Sequence, residues 1–521
     1  MDSLPGQCDV LIVGAGPTGL MLANQLARHG IGATIIDRHA GPARETRALG
    51  VQARTMEIYA QLGLMARALE LGTRALGANL WARGRRTARV PLGDIGRDLS
   101  AYPYLLILGQ DDNERLLGDA LRDHGRGVRW NTELVGLEQK PDRVVARLRQ
   151  PDGATALLHA RWVAGCDGAR SAVRELNGIG FPGAPYEHVF FVADTTVTGP
   201  MVADELNVFL LSDGFHLFFP MRGRDHWRVV GILPPALRGR DGLTFDDVIP
   251  TLHTQAAKGL AFRDCRWFST YRIHHRRAER FRAGRCFLLG DAAHIHSPVG
   301  AQGMNTGLQD AYNLGWKLAL VVSGGAREAL LDTYAAERMP VAERLLQTTD
   351  RGFAFVVSDH WFSRMLRTRV LALIPALAMR FDAARKLAFR AISQTGIAYP
   401  DSALSQTEPG LPDESPRAGD RFPWMKLIFT SGAPAEDLFT RLDDTRFNLI
   451  LVGQAEGVDA VDASVVVHEI PDLASNVAVL KRAGIRRPSY FLLRPDGHIG
   501  LAGSRITDGA VQRYFAERIA G

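Results

Sequence analysis

Three stretches of the chain place glycines and carboxylates at spacings that can hold a nucleotide. In "DVLIVGAGPTGLMLANQLARHGIGATIIDR", from Asp9 to Arg38, residues Gly14, Gly16 and Gly19 have the GxGxxG spacing. The first glycine allows a tight turn, the second lets a pyrophosphate approach the backbone, and the third lets helix and strand pack closely. Asp37 closes the next strand, where a carboxylate can accept from a ribose hydroxyl and would repel a 2′-phosphate. Arg38 follows as a candidate neighbour of the adenine or pyrophosphate. This fragment alone does not separate FAD from NAD. "RCFLLGDAAHIHSPVGAQGMNTGLQDAYNLGWKLAL", from Arg285 to Leu320, ends a buried strand at Gly290-Asp291, whose carboxylate can hydrogen-bond an extended ribityl chain. Its turn "PVGAQG" feeds a helix predicted to begin near Met304 and Asn305, with N–H groups and dipole facing the N1–C2=O edge of an isoalloxazine. In "WVAGCDGARSAVRELNG", Asp167-Gly168 ends a strand and Arg170, Ser171 and Arg174 open a helix.

The elements that must position these residues are legible in the apolar pattern. A short apolar run, a helical segment and a second run fill residues 9–38, a βαβ unit and so a parallel sheet. From about Gly180 to Tyr271 the pattern turns strand-rich, with "HVFFVADTTV", "LNVFLLSD", "GFHLFFPMRG" and "HWRVVGILP" between Gly, Asp and Pro turns. With residues 85–100 this predicts an antiparallel domain inserted into the first. Long helical patterns follow Asp332, and the proline-rich stretch from Glu408 to Pro423 reads as a linker. Beyond it, "FNLILVG", "ASVVVHEI" and the hairpin "SYFLLRPDGHIGLAG" predict a small α/β unit without cysteine.

The totals narrow the function classes. At 521 residues the chain exceeds one compact core. A hydrophobic content of 46% with 23% charged residues describes a globular protein. The net charge of +6 comes mainly from arginine and has no basic arm beside it, which argues against nucleic acid and leaves anionic small partners. Cys8, Cys166, Cys265 and Cys286 form neither CxxC nor metal spacing, as suits a reducing compartment. "MDSLPGQ" lacks signal-peptide character, and the apolar run Val370 to Met379 is too short for a membrane span, so a cytoplasmic location is expected.

Taken together, the three motifs resemble those of the group A FAD-dependent aromatic hydroxylases, the superfamily of p-hydroxybenzoate hydroxylase and phenol hydroxylase. The chain is especially similar to the bacterial members close to pentachlorophenol monooxygenase and 3-(3-hydroxyphenyl)propionate hydroxylase. GxGxxG at Gly14 to Gly19, the DG motif at Asp167-Gly168, and the GD motif at Gly290-Asp291 with Pro298 downstream occur in the family's order over about the first 400 residues. The resemblance adds Arg47 and Gln110 as flavin contacts, beside Gly303, Met304 and Asn305. It implies an α/β protein: a discontinuous Rossmann-type FAD-binding domain over 1–75, 101–180 and 272–400, and an antiparallel substrate domain over 76–100 and 181–271. A linker over 401–423 and a thioredoxin-like domain without cysteines over 424–521 would follow.

No second GxGxxG unit occurs, so the resemblance implies one tightly held FAD and NADPH or NADH as a passing co-substrate. It also implies reduction of the flavin, capture of dioxygen as a C4a-hydroperoxide, and oxygen transfer to an electron-rich, phenolic ring. A larger aromatic polyketide or an ansamycin such as rifampicin is the alternative substrate, and a flavin-binding ligand sensor the alternative of another class. A homodimer follows only from the family's habit. His216, amid Phe215, Phe218 and Phe219, is the candidate base for deprotonating a phenol, set against the reading of a satisfied core histidine. Tyr104 and Tyr271 are weaker candidates. His294 and His296 have no cluster around them that completes a metal site, so no metal is expected.

Overall fold

The computed structural model describes residues 4–43, 48–211, 214–256, 259–296, 302–357, 381–454 and 464–520. The strand Gln7–Val13 runs parallel to Ala33–Ile36 on one side and to Thr155–Gly165 on the other. Cys286–Leu288 and Val128–Arg129 extend the parallel row at its two ends. Val10, Leu11 and Ile12 are wholly buried, as an unbroken apolar run must be in a central strand of a parallel sheet covered on both faces. Between the first two strands the helix Pro17–Arg28 lies against the helix Gly303–Val322. Two glycines on the second helix permit that approach: a Cβ on Gly307 would stand 2.4 Å from Thr18 Oγ1, and one on Gly315 would stand 2.8 Å from Gln25 Cβ.

A second, mostly antiparallel sheet is ordered His294–Ile295, Ala261–Arg277, Gly183–Thr198, His226–Ile232, Phe215–Pro220, Leu206–Leu210, Gly77–Ala82, Arg85–Pro91. Alternation along its strands sorts the side chains into two faces. Phe191, Ala193, Phe209, Phe218 and Val229 are buried with Phe245, Val248 and Leu252 of the helix Phe245–Gln255, and form the outer layer. On the inner face, Leu206, Phe219 and Met221 meet Leu49, Ala75 and Ile107. That contact turns the inner face toward the nucleotide-binding part of the chain.

A third sheet is ordered Gln406–Thr407, Ile499–Gly503, Ser489–Leu493, Phe447–Val452, Val465–Ile470. Leu449, Leu451, Leu492 and Tyr514 join the same core as the first sheet, so this unit is packed on its neighbour over an apolar face. The stretch expected as a linker lies along it: the Gly419 N–H donates to Ile499 O at 2.7 Å, and Leu411 and Phe422 are buried. Among the described residues no helix is long and apolar enough to cross a membrane.

Candidate active site

The three motifs stand side by side. Val13, Gly165 and Leu288 are in register across adjacent parallel strands, so Gly14, Asp167-Gly168 and Gly290-Asp291 all leave the sheet at its carboxyl edge, where open α/β sheets bind ligands. Gly14 has φ +101°, and a Cβ on it would stand 2.4 Å from Cys166 O. Gly16 caps the helix Pro17–Arg28, which has no side-chain cap and no acidic residue in its first turn, and open space surrounds the position its Cβ would take. The uncapped N–H groups and the cleared approach fit a pyrophosphate. Gly19 permits the strand-to-helix contact, since a Cβ there would lie 2.0 Å from Gly14 O.

Asp37 closes the second strand. Its Oδ2 accepts from the Ala15 N–H at 2.7 Å and its Oδ1 from the His39 N–H at 2.8 Å, which aims the carboxylate along the glycine turn. Arg38 beside it is exposed. Gln110 opens the helix Gln110–Asp123; its Oε1 accepts from Ala48 N–H at 3.3 Å and its Nε2 donates to Glu114 at 2.9 Å. Arg47 and Pro298 lie outside the described residues.

Asp167 is half-buried, accepts from Val173 N–H through Oδ2 at 3.2 Å, and keeps a buried Oδ1 without a hydrogen-bond partner. Burial pushes its carboxyl above the ordinary range. A buried oxygen left unpaired beside Gly168, at φ +75°, fits a site completed by a ligand's donors. Arg174 joins this motif to the next, donating to Ala169 O at 2.9 Å and to Ala292 O at 3.1 Å.

Gly290 (φ +57°) and the exposed Asp291 form a single 3-10 turn. The first turn of the helix Gly303–Val322 carries Gly303, Met304 and Asn305. This helix too lacks a side-chain cap and an acidic first turn, leaving its positive end for an electron-rich edge of a ligand. Asn305 fastens that end to the start of the helix Ala53–Gln61 and the strand before it: Oδ1 accepts from Gln52 N–H at 2.9 Å and Thr55 Oγ1 at 2.7 Å, and Nδ2 donates to Gly50 O at 2.8 Å. The residues present therefore fit FAD: a glycine turn open to a pyrophosphate, the Asp37 and Asp291 carboxylates able to accept from hydroxyls, and an uncapped helix end.

Sequence reading missed the groups that hold these loops. Asp310 is wholly buried and accepts from Gly290 N–H at 3.0 Å, with His294 Nε2 at 2.8 Å. Arg338 Nε donates to its other oxygen at 2.6 Å, and Arg338 Nη1 donates to Tyr399 Oη at 2.9 Å. Burial alone would raise the Asp310 carboxyl, yet Arg338 and His294 hold it below the usual carboxylate range. The conspicuous signal was the charged and amide pattern within an otherwise apolar helix, "NTGLQDAYNLGWK". No group of three or more metal-ligating side chains occurs among the described residues.

His216 is buried in the strand Phe215–Pro220, with its ring 5.8 Å from that of Phe191. It therefore belongs to the outer layer, while Phe215, Leu217 and Phe219 point to the opposite face because strand side chains alternate. The inner face carries a buried cluster of Phe190, Phe215 and Ile232 with the half-buried Tyr186, Leu217 and Tyr271 against it. Burial pushes the Tyr271 phenol up to about 12. Tyr104 lies elsewhere, under the Arg74 guanidinium at 5.1 Å.

A family model described as an FAD binding domain matches residues 7–349. The 6-methylpretetramide 4-monooxygenase of Streptomyces rimosus is 33% identical over 96% of this chain and 92% of its own. The pentachlorophenol 4-monooxygenase of Sphingobium chlorophenolicum is 34% identical over 87% of this chain and 82% of its own. Among solved structures, aklavinone-11 hydroxylase in a ternary complex with FAD and aklavinone superposes with a TM-score of 0.81 at 26% identity, covering 99% of both chains.

Proposed function

The chain belongs to the FAD-dependent aromatic monooxygenases, and on that footing we propose that it hydroxylates a phenolic ring carried on a fused aromatic scaffold. Its cofactor is FAD and its co-substrates are NAD(P)H and dioxygen. One observation carries the choice of scaffold. Tyr271, Phe190 and Ile232 are in direct register on three neighbouring strands, and Phe215 packs against them from the fourth. Four strands span three interstrand spacings, about 14 Å, a row wider than one benzene ring. Similar chains named for 6-methylpretetramide and aklavinone favour the same scaffold over a simple phenol.

Bound FAD supplies the chemistry of accepting a hydride from the nicotinamide and activating dioxygen. In this reading Gly14, Gly16, Gly19, Asp37 and Arg38 bind the adenosine and pyrophosphate half. Asp291, Gln110 and the helix end at Gly303, Met304 and Asn305 hold the ribityl and ring half, and Asp167-Gly168 stands between the two. Arg47 and Pro298 complete the set by likeness to the family. The aromatic row excludes water and presents the substrate ring to the carboxyl edge. On the substrate side the Tyr271 hydroxyl can hold a proton; His216 faces the outer layer, and deprotonation by it would have to act through the sheet.

The strand order 499–503, 489–493, 447–452, 465–470, with only the last pair parallel, supports a thioredoxin-like C-terminal unit, and with no cysteine in it that unit has no redox role. A cytoplasmic homodimer belongs to the same reading, and sedimentation checks the dimer.

The test is NADPH oxidation by the FAD-loaded protein against a panel of monocyclic phenols and hydroxylated naphthalenes and anthraquinones, with mass spectrometry of the products. A polycyclic compound that speeds oxidation and gains one oxygen atom supports the reading. Turnover of monocyclic phenols alone overturns the scaffold, and a protein whose flavin is reducible by dithionite but indifferent to every aromatic points to a ligand sensor.

A further inference from the structure

Arg228 is an unexpected residue on the aromatic inner face. It sits in His226–Ile232, opposite Phe219 on one side and Asp194 on the other, both inner-face positions. It is 1% exposed, and its guanidinium lies 5.2 Å from the Trp267 ring centroid. Asp194 takes Nε and Nη2 in a bidentate pair, each at 2.6 Å. Nη1 is buried and has no hydrogen-bond partner. A guanidinium N–H group left unpaired in a low-dielectric site costs free energy that a ligand acceptor can recover.

The surroundings say which acceptor. The outer face of the sheet is covered by the helix Phe245–Gln255, and on the inner face Asp194, Leu217, Val230, Trp267 and Tyr271 all keep partial exposure. Asp194 already neutralises the guanidinium, so a second full anion would gain little attraction and would meet the Asp194 charge at close range. A neutral or partly charged oxygen avoids that repulsion and still accepts a charge-assisted hydrogen bond. The planar fork is held in place by its carboxylate and its indole, and its remaining donors project in one fixed direction.

We propose that Arg228 Nη1 is a specificity-determining donor to a ring-bound carbonyl, so that the preferred substrate is a hydroxylated aryl ketone or quinone. This rests on the reading that an aromatic substrate occupies the inner face. Asp194 and Trp267 act as positioning residues, fixing the fork. The arrangement selects among aromatics by one atom: a scaffold with a methylene where the carbonyl belongs leaves Nη1 buried and unpaired.

The experiment compares 6-acetyl-2-naphthol with 6-ethyl-2-naphthol, alike in shape and differing in the carbonyl, by equilibrium binding to the FAD-loaded protein. Wild type is expected to bind the ketone about tenfold more tightly. Because Arg228→Gln alone would strand a half-buried carboxylate, it is made together with Asp194→Asn, and the preference should fall to about one. Equal binding of the two naphthols by wild type, or a preference that survives in the double variant, overturns the assignment. Failure of the monooxygenase reading registers separately, as absence of an oxygenated product in turnover, and leaves the binding ratio to be judged by itself.

Discussion

Asp310 and Arg338 meet at 2.6 Å in a wholly buried ion pair, and through it the third structural unit reaches the Gly290-Asp291 loop. Asp310 accepts from Gly290 N–H, while Arg338 donates to Tyr399, whose ring centroid is 4.4 Å from that of His498 in the third unit. Nearby, Arg494 of that unit pairs with Glu337, the residue before Arg338, at 2.7 Å.

Breaking this pair should loosen the cofactor as well as the fold. Asp310→Asn leaves Arg338 buried without its counter-charge, at an expected cost of about 3–5 kcal/mol. FAD dissociation measured by flavin fluorescence should rise together with the loss of melting temperature. A variant that melts early but holds FAD as wild type does would show that the pair does not govern the loop.

Two neighbouring glycines should separate folding from binding. In Gly19→Ala the new methyl meets the Gly14 carbonyl oxygen at 2.0 Å, and such overpacking is expected to cost about 1–3 kcal/mol or more. Gly16→Ala meets nothing within 4 Å, so its melting temperature without FAD should match wild type while FAD affinity drops about tenfold, because the methyl occupies the phosphate approach. Calorimetry of the apoprotein and FAD titration check the two halves.

Stability should fall in acid through a defined window. Glu337 is held down to about 2 from an ordinary 4.5: burial would raise it, but Arg494 and Lys317 outweigh burial. The folded state therefore binds fewer protons than the unfolded chain between those values, so the stabilisation is complete above about pH 4.5 and is lost as pH falls toward 2. Asp310 and Asp496 are shifted in the same direction. Glu337→Gln should be less stable near neutrality by about 3–5 kcal/mol and show a flatter acid limb, read from melting temperature against pH.

His216 and Tyr271 should behave differently. His216→Asn removes an imidazole from the outer layer and should lower stability by about 1–3 kcal/mol, with the pH dependence of kcat/KM for a turned-over phenol unchanged. Tyr271→Phe removes a hydroxyl from the substrate side and should change that profile while the melting temperature moves little. A profile altered by His216→Asn but not by Tyr271→Phe would reverse the assignment of the two faces.

The nucleotide half of the site was legible because its chemistry is local. Gly14, Gly16 and Gly19 are required by one turn, and a run such as Val10 to Ile12 followed by helical spacing specifies strand and helix without reference to the rest of the chain. The antiparallel strands between Gly183 and Arg277 were legible for the same reason, from alternation and turns. Which way a side chain faces was less so: Phe215 and His216 are adjacent in "GFHLFF", and only pairing with Leu206–Leu210 and His226–Ile232 puts one beside Phe190 and Ile232 and the other beside Phe191 on the opposite face. The stretch from Glu408 to Pro423 has a linker's composition, yet its Glu408 and Gly419 N–H groups donate to Ala502 O and Ile499 O of a strand, and Arg421 pairs with Glu57, far away in sequence. Asp310, Arg338 and Arg228 could not be singled out beforehand, since a charge in a sequence is by default a solvated one. Local spacing determined that this chain binds a dinucleotide and carries a flavin enzyme's motifs. Only the tertiary structure decided which charges are buried, what they hold, and which side chains share a face of the sheet, because burial and pairing arise between segments that the chain keeps apart, from Asp310 and Arg338 on successive helices to Glu57 and Arg421 in different units.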